Sequence, residues 1–192
     1  PLKAQKAHRN LFTDVSDSAQ TDSMVSRTVA ALGHLDTLIA NAGIAEVKPI
    51  LDTTPAERQR MFDVNCGGLM NSYISGAKQM VAQGTGGRII GAASIVSFNT
   101  FPMLGTYSAS KWAVKGFTQV AAKEWAVSFS PSSNKADPAP VSSASADTPS
   151  SQKYGIRVCA YAPGIVDTPM WDLIDHELGK DVRTFALAIP PR

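Results

Sequence analysis

Three short apolar runs in this chain each give way abruptly to small or polar residues, and this limits what the chain can fold into more than any other feature. Leu35-Asp-Thr-Leu-Ile-Ala40 stops at Asn41-Ala42-Gly43, Arg88-Ile-Ile-Gly-Ala-Ala stops at Ser94, and Tyr154-Gly-Ile-Arg-Val-Cys-Ala-Tyr161 stops at Ala162-Pro163-Gly164. Runs of this length, with β-branched residues and turn residues at their ends, read as buried strands. The Pro-Gly pair forces a turn at the carboxyl end of the third run, which is where open α/β sheets bind ligands. Gly84-Thr-Gly-Gly87 precedes the second run, so it reads as a helix-to-strand turn and not as a phosphate-binding loop. Two stretches carry helical periodicity. Met24, Val25, Thr28, Val29 and Leu32 share a stripe, and Trp112, Val114, Phe117, Val120 and Ala121 give a later helix a broad apolar surface, with more than one buried side or a partner subunit behind it.

Tyr107-Ser-Ala-Ser-Lys111 sets a phenol and an ammonium four residues apart, on one helix face. A neighbouring cation favours the ionised phenol and lowers a pKa that starts near ~10, which makes the pair an acid/base device. Ser94, arriving from the end of a strand, could hold a carbonyl oxygen where the phenol exchanges a proton with it. Asn65 lies in the apolar helical stretch Met61-Phe-Asp-Val-Asn65, just before Gly67-Gly68. That is poor helix chemistry, and it reads either as a local distortion that holds a water or as a capped helix break.

Taken in order, Asp14-Val15, Asn41-Ala-Gly43, Asn65, Ser94, Tyr107-x-x-x-Lys111 and Pro163-Gly164 with Thr168 resemble the short-chain dehydrogenase/reductase family over nearly the whole chain. The resemblance implies a doubly wound parallel α/β sheet of Rossmann type that binds NAD or NADP. It implies an oxidoreductase that moves hydride between nicotinamide and a ketone or secondary alcohol. Tyr107 would be the general acid/base. Lys111 would lower its pKa and hold the nicotinamide ribose, Ser94 would orient the substrate carbonyl, and Asn65 would hold a water of the proton relay. Asp14 and Val15 would flank the adenine, and Asn41, Ala42 and Gly43 would line the cofactor. Pro163, Gly164, Val166 and Thr168 would lie at its nicotinamide end. The stretch from Ala162 to Trp171, followed by Ile174-Asp175, is similar to acetoin/diacetyl reductases and butanediol dehydrogenases. With Ser94 and Trp171, Ile95 and Phe101 would line the substrate pocket, where those enzymes carry polar side chains instead. A more apolar pocket is expected, suited to a ketone or alcohol without a second polar group.

The same resemblance implies a first strand-helix-strand unit before Asp14, with a glycine-rich turn after its first strand and a second strand whose end would choose between NAD and NADP, and a last helix and strand after Arg192. Leu11-Phe-Thr-Asp14 would be the strand that leads to the adenine edge. The chain is therefore expected to be a single partial domain, prone to aggregation and weak in dinucleotide binding, with its NAD or NADP preference unreadable. An inactive fragment that keeps the site residues and a non-catalytic oligomeric scaffold are the alternative functions. A scaffold has no reason to keep Asn65, Ser94, Tyr107 and Lys111 together. An intact form is expected to be a homo-oligomer.

Residues 127–152 are rich in Ser, Pro and Ala, with almost no apolar anchors, and predict a disordered insertion. Helix-to-strand connections in such sheets run about 2–6 residues, so the segment is out of place. Its ends, Val-Ser and Gln, can be encoded by the borders of an intron, and a retained intron and a surface loop both remain open. A formal charge of +2 with 18% charged residues, and no basic run, argues against nucleic acid as a partner. No stretch reaches the ~20 apolar residues of a membrane span. Cys66 and Cys159 read as isolated buried thiols, which suits a reducing cytoplasm. His8, His34 and His176 lack metal-ligand spacing.

Overall fold

Asp17 is followed by fifteen residues without glycine or proline, and a helix fills that interval. α1 (Ser18–Leu32) starts where the Asp17 carboxylate accepts the Ala19 N–H at 2.9 Å, and it ends at Gly33, whose φ of +92° a side chain would resist. The computed structural model describes residues 10–126 and 154–164, together with 166, 170, 172, 174 and 176. The chain continues through β1 (Thr37–Ala40), α2 (Pro55–Phe62), α3 (Gly68–Gln83), β2 (Gly87–Ala92), α4 (Gly105–Trp125) and β3 (Ile156–Tyr161). The strands pair in parallel in the order β1-β2-β3, with Leu38 opposite Ile89 and Ile89 opposite Val158. All three apolar runs are strands of one parallel α/β sheet, as the sequence predicts.

Strand alternation puts Leu38, Ala40, Ile89, Ile156 and Val158 on one face of the sheet, and α3 and α4 cover it. Tyr73, Met80, Val114 and Ala121 close this core, and Val25 brings α1 onto α3. Fully burying Met80, Ile89, Val114 and Ile156 contributes roughly 1.5–3 kcal/mol each. The Tyr73 hydroxyl, inside the core, pairs with Thr118 Oγ1 at 3.1 Å and donates to the Cys159 carbonyl at 3.4 Å, so α3, α4 and β3 share one buried polar link. Ile39, Cys159 and Tyr161 occupy the other face and are exposed; among the described residues no helix layer covers it. α3 runs into β2 through the predicted turn. Gly84 caps the helix in the left-handed region, and Gly86, also at positive φ, lies so near the Gly155 carbonyl that a Cβ would stand 2.4 Å from its oxygen.

Several expectations change. Leu11–Asp14 is not a strand: it makes no ladder bonds and Phe12 is wholly exposed, because a strand needs a neighbour and none of the described strands adjoins it. Leu32 is half-exposed at the frayed end of its stripe, and Trp112 and Val120 face outward while Val114 and Ala121 are buried. Cys159 is exposed, since it lies on the uncovered sheet face, whereas Cys66 is buried. The insertion at 127–152, Thr168 and Trp171 lie outside the described residues. Among the described residues, no helix is long and apolar enough to cross a membrane and no cluster of His, Cys, Asp and Glu could hold a metal ion.

Candidate active site

Where Asn65 precedes two glycines, α2 does not stop but widens into a π-helical turn, Asp63–Gly67, before α3 begins. Such turns interrupt the regular ladder and recur at functional sites. The distortion turns Asn65 fully inward, at 1% exposure. Its amide oxygen accepts the Ile44 N–H at 2.8 Å, and its amide nitrogen donates to the Ile44 carbonyl at 2.9 Å and to Ser110 Oγ at 3.0 Å. Asn65 is thus a pin between the loop after β1 and the helix that carries Tyr107, and it caps no helix. The loop is held at its far end by the Lys48 N–H donating to the Met103 carbonyl at 2.7 Å. Met103 adopts φ of +64°, a left-handed conformation that costs a side-chain-bearing residue energy and is tolerated only where its surroundings hold it.

Ser94 leaves β2 in extended conformation and starts a short 3₁₀ turn, Ile95–Ser97, accepting the Val96 N–H at 3.3 Å. The Ser97 hydroxyl donates to the Lys111 carbonyl at 2.9 Å and locks this turn onto α4. Pro163 joins from the end of β3: its carbonyl accepts the Ile95 N–H at 2.9 Å. The ends of β2 and β3 and the first turns of α4 therefore converge on one spot.

At that spot the Ser94 hydroxyl lies near enough to the Tyr107 phenol to favour its ionised form. Lys111 lies one turn along α4, with its ammonium 5.7 Å from the phenol ring centre and donating to the Ala92 carbonyl at 2.8 Å. Burial pushes the Tyr107 phenol above its ordinary range and outweighs the lowering by Ser94. Burial outweighs the lowering expected of Lys111, whose ammonium is itself desolvated and gives one of its three donors to Ala92. Burial brings Lys111 down to about 8, against a slight upward pull from Cys66. The pair is a neutral phenol beside an amine poised close to physiological pH, with a serine hydroxyl facing the same space.

The remaining predicted residues fall into two groups. Gly43 borders the pair: a Cβ there would stand 3.2 Å from Asn65 Oδ1 and 3.5 Å from Lys111 Nζ, so the loop backbone lies close against both side chains. Ile95 and Phe101 pack with Tyr107, Met61 and Val96 in a small apolar cluster. Asn41 and Ala42 are exposed at the end of β1, and Asn41 accepts a hydrogen bond from the Tyr161 hydroxyl. Gly164 has open space around it, and Val166 is exposed. Asp14 and Val15 lie apart from this cluster. Val15 packs on Gly68 at the start of α3, and Asp14 accepts the Ser16 hydroxyl at 2.7 Å and N–H at 2.9 Å, which hold its carboxyl low. The sequence reading passed over Ile44, Ser97, Ser110 and Tyr161. Ser110 carried a signal, standing three residues after Tyr107 on the same helix face, whereas the others acquire roles only through contacts across the fold.

Residues 2–146 match the family described as short chain dehydrogenase. A short-chain dehydrogenase/reductase of Armillaria gallica is 36% identical over 191 residues, covering 94% of this chain and 63% of the relative. The L-2,3-butanediol dehydrogenase of Corynebacterium glutamicum is 36% identical over 167 residues, which is 87% of this chain and 55% of that enzyme. Among solved structures, a gluconate 5-dehydrogenase from Burkholderia cenocepacia, in complex with NADP and tartrate, superposes with a TM-score of 0.67 at 26% identity, over 88% of this chain and 55% of that one. The chain spans little more than half the length of these relatives.

Proposed function

The chain belongs to the short-chain dehydrogenase family, and from that premise we propose that it carries the acid/base and substrate-orienting half of an NAD(P)-dependent oxidoreductase acting on a ketone or secondary alcohol. The observation that supports this most directly is the meeting of the Ser94 hydroxyl, the Tyr107 phenol and the Lys111 ammonium at the converging ends of β2, β3 and α4. A carbonyl oxygen that displaces neither group can accept from both hydroxyls, and the neutral phenol then gives it a proton. In the reverse direction the phenolate takes the alcohol proton, with the Lys111 ammonium compensating its negative charge. Asn65 keeps the loop after β1 aligned with α4 while this happens.

The residues suit the nicotinamide end of such a cofactor: Gly43 presents bare backbone beside the Lys111 ammonium, which keeps donors for a ribose hydroxyl, and Gly164 has open space around it. When bound, the cofactor supplies or accepts the hydride. The diphosphate end has no glycine-rich strand-to-helix loop among the described residues, and the NAD or NADP choice follows no residue described. Ile95 and Phe101 favour a small substrate with one polar group. The outward Trp112 and Val120 on α4 support a homo-oligomer, which light scattering would test.

A second reading is a chain that keeps these residues without turnover, since no glycine-rich loop suited to a diphosphate lies among the described residues. NADH and NADPH titration by fluorescence, followed by turnover with small ketones, separates the two. The proposal expects saturable binding and activity that Tyr107→Phe lowers by about 10²–10⁴-fold with binding retained. Absence of binding, or a Tyr107→Phe variant as active as its parent, overturns it.

A further inference from the structure

Ser110 is fully buried next to Lys111, and neither the proton transfer nor the cofactor contacts described above use it. Its hydroxyl has one proton and two lone pairs to place. The proton goes to the Tyr107 carbonyl at 2.7 Å, and a lone pair accepts the Asn65 amide at 3.0 Å. The Ser110 carbonyl also accepts the Cys66 thiol at 3.4 Å. Two consecutive residues of an ordinary α-helix point about 100° apart, and the π-helical turn at Asp63–Gly67 is what brings both Asn65 and Cys66 to one serine. Beyond Asn65 the chain of contacts runs to both backbone groups of Ile44, and so to Gly43 beside Lys111 Nζ.

We propose that Ser110 is a positioning residue: its hydroxyl clamps Asn65 to the helix that carries Tyr107 and Lys111, and so holds the backbone of Gly43 and Ile44 against the Lys111 ammonium. The positioning is a property of the folded chain; what the ammonium then does rests on the function proposed above. Without the clamp the loop loosens, water reaches Lys111, and its ammonium titrates higher. Two titratable groups face that ammonium, Tyr107 from its own helix and Cys66 from the π-helical turn.

The test is a ¹⁵N NMR titration of the Lys111 side chain in the full chain and in its Ser110→Ala and Ser110→Cys variants. Cysteine fills almost the same volume but is a poor acceptor, so a role in packing alone predicts that Ser110→Cys behaves like the parent. The clamp predicts that both variants raise the Lys111 midpoint by about half a pH unit or more, with faster exchange of the Asn65 side-chain amide. A midpoint within about 0.2 of the parent in the folded variants, a Ser110→Cys titration like the parent's, or loss of the folded state in both variants overturns the proposal. The titration needs no turnover. If the midpoint moves while the parent chain neither binds nor turns over cofactor, the positioning role stands and the enzymatic reading falls.

Discussion

The cost of this site is concentrated in one side chain. Lys111 titrates near 8 in the folded chain against an ordinary value of 10.5, so its buried ammonium destabilises the fold at neutral pH. Between those two values the unfolded chain holds the extra proton, and stability therefore rises with pH across that window. Below it both states are protonated and the full penalty, on the order of 3 kcal/mol, is present. Tyr107, pushed up by burial, acts in the opposite direction above pH ~10. We expect the melting temperature of the chain to climb from pH 8 to about 9.5. Lys111→Met should abolish that climb and melt no lower than the parent at pH 7, while losing any turnover. A climb that persists in the variant would place the titrating group elsewhere. The residue types were legible in the sequence, but the direction of the tyrosine's shift was not, because spacing reports proximity and not desolvation.

At the scale of elements, the loop after β1 is held by the start of α2. Thr54 and Glu57 form a reciprocal cap, with Pro55 at the first helical position, and Lys48 donates to Glu57 at 2.5 Å. That Thr-Pro-x-Glu signal is plain in the sequence. Thr54→Ala should cost about 1 kcal/mol in denaturant unfolding. Lys48 and the Thr54 cap hold the Glu57 carboxyl down at about 2, from an ordinary 4.5. Its contribution is therefore present above pH 4.5 and lost as the pH falls toward 2. Glu57→Gln should flatten that part of the acid unfolding curve; an unchanged acid limb would show that the pair contributes nothing. Helix and strand positions were readable because their signals are local. The π-helical turn was anticipated as a distortion at Asn65, but the partner that makes it worth keeping, Ile44, is twenty-one residues away.

For the molecule as a whole, the described sheet has one covered and one open face, and the two cysteines report on them. Cys159 on the open face should react with a thiol reagent in the native chain. Cys66 should react only on unfolding, being buried and pushed up by desolvation. A protected Cys159 would mean that residues beyond those described cover that face. Sequence by itself determined the three strands, the order of the polar corners at their ends and the residue types gathered there, because alternation, turn chemistry and spacing along a helix are short-range properties. Only the tertiary structure decided that Leu11–Asp14 stays unpaired, that Trp112 and Val120 face outward, that Asn65 grips Ile44, and that burial raises the phenol while depressing the amine. Pairing, exposure and desolvation depend on which distant segments meet, and no local pattern in the chain encodes them.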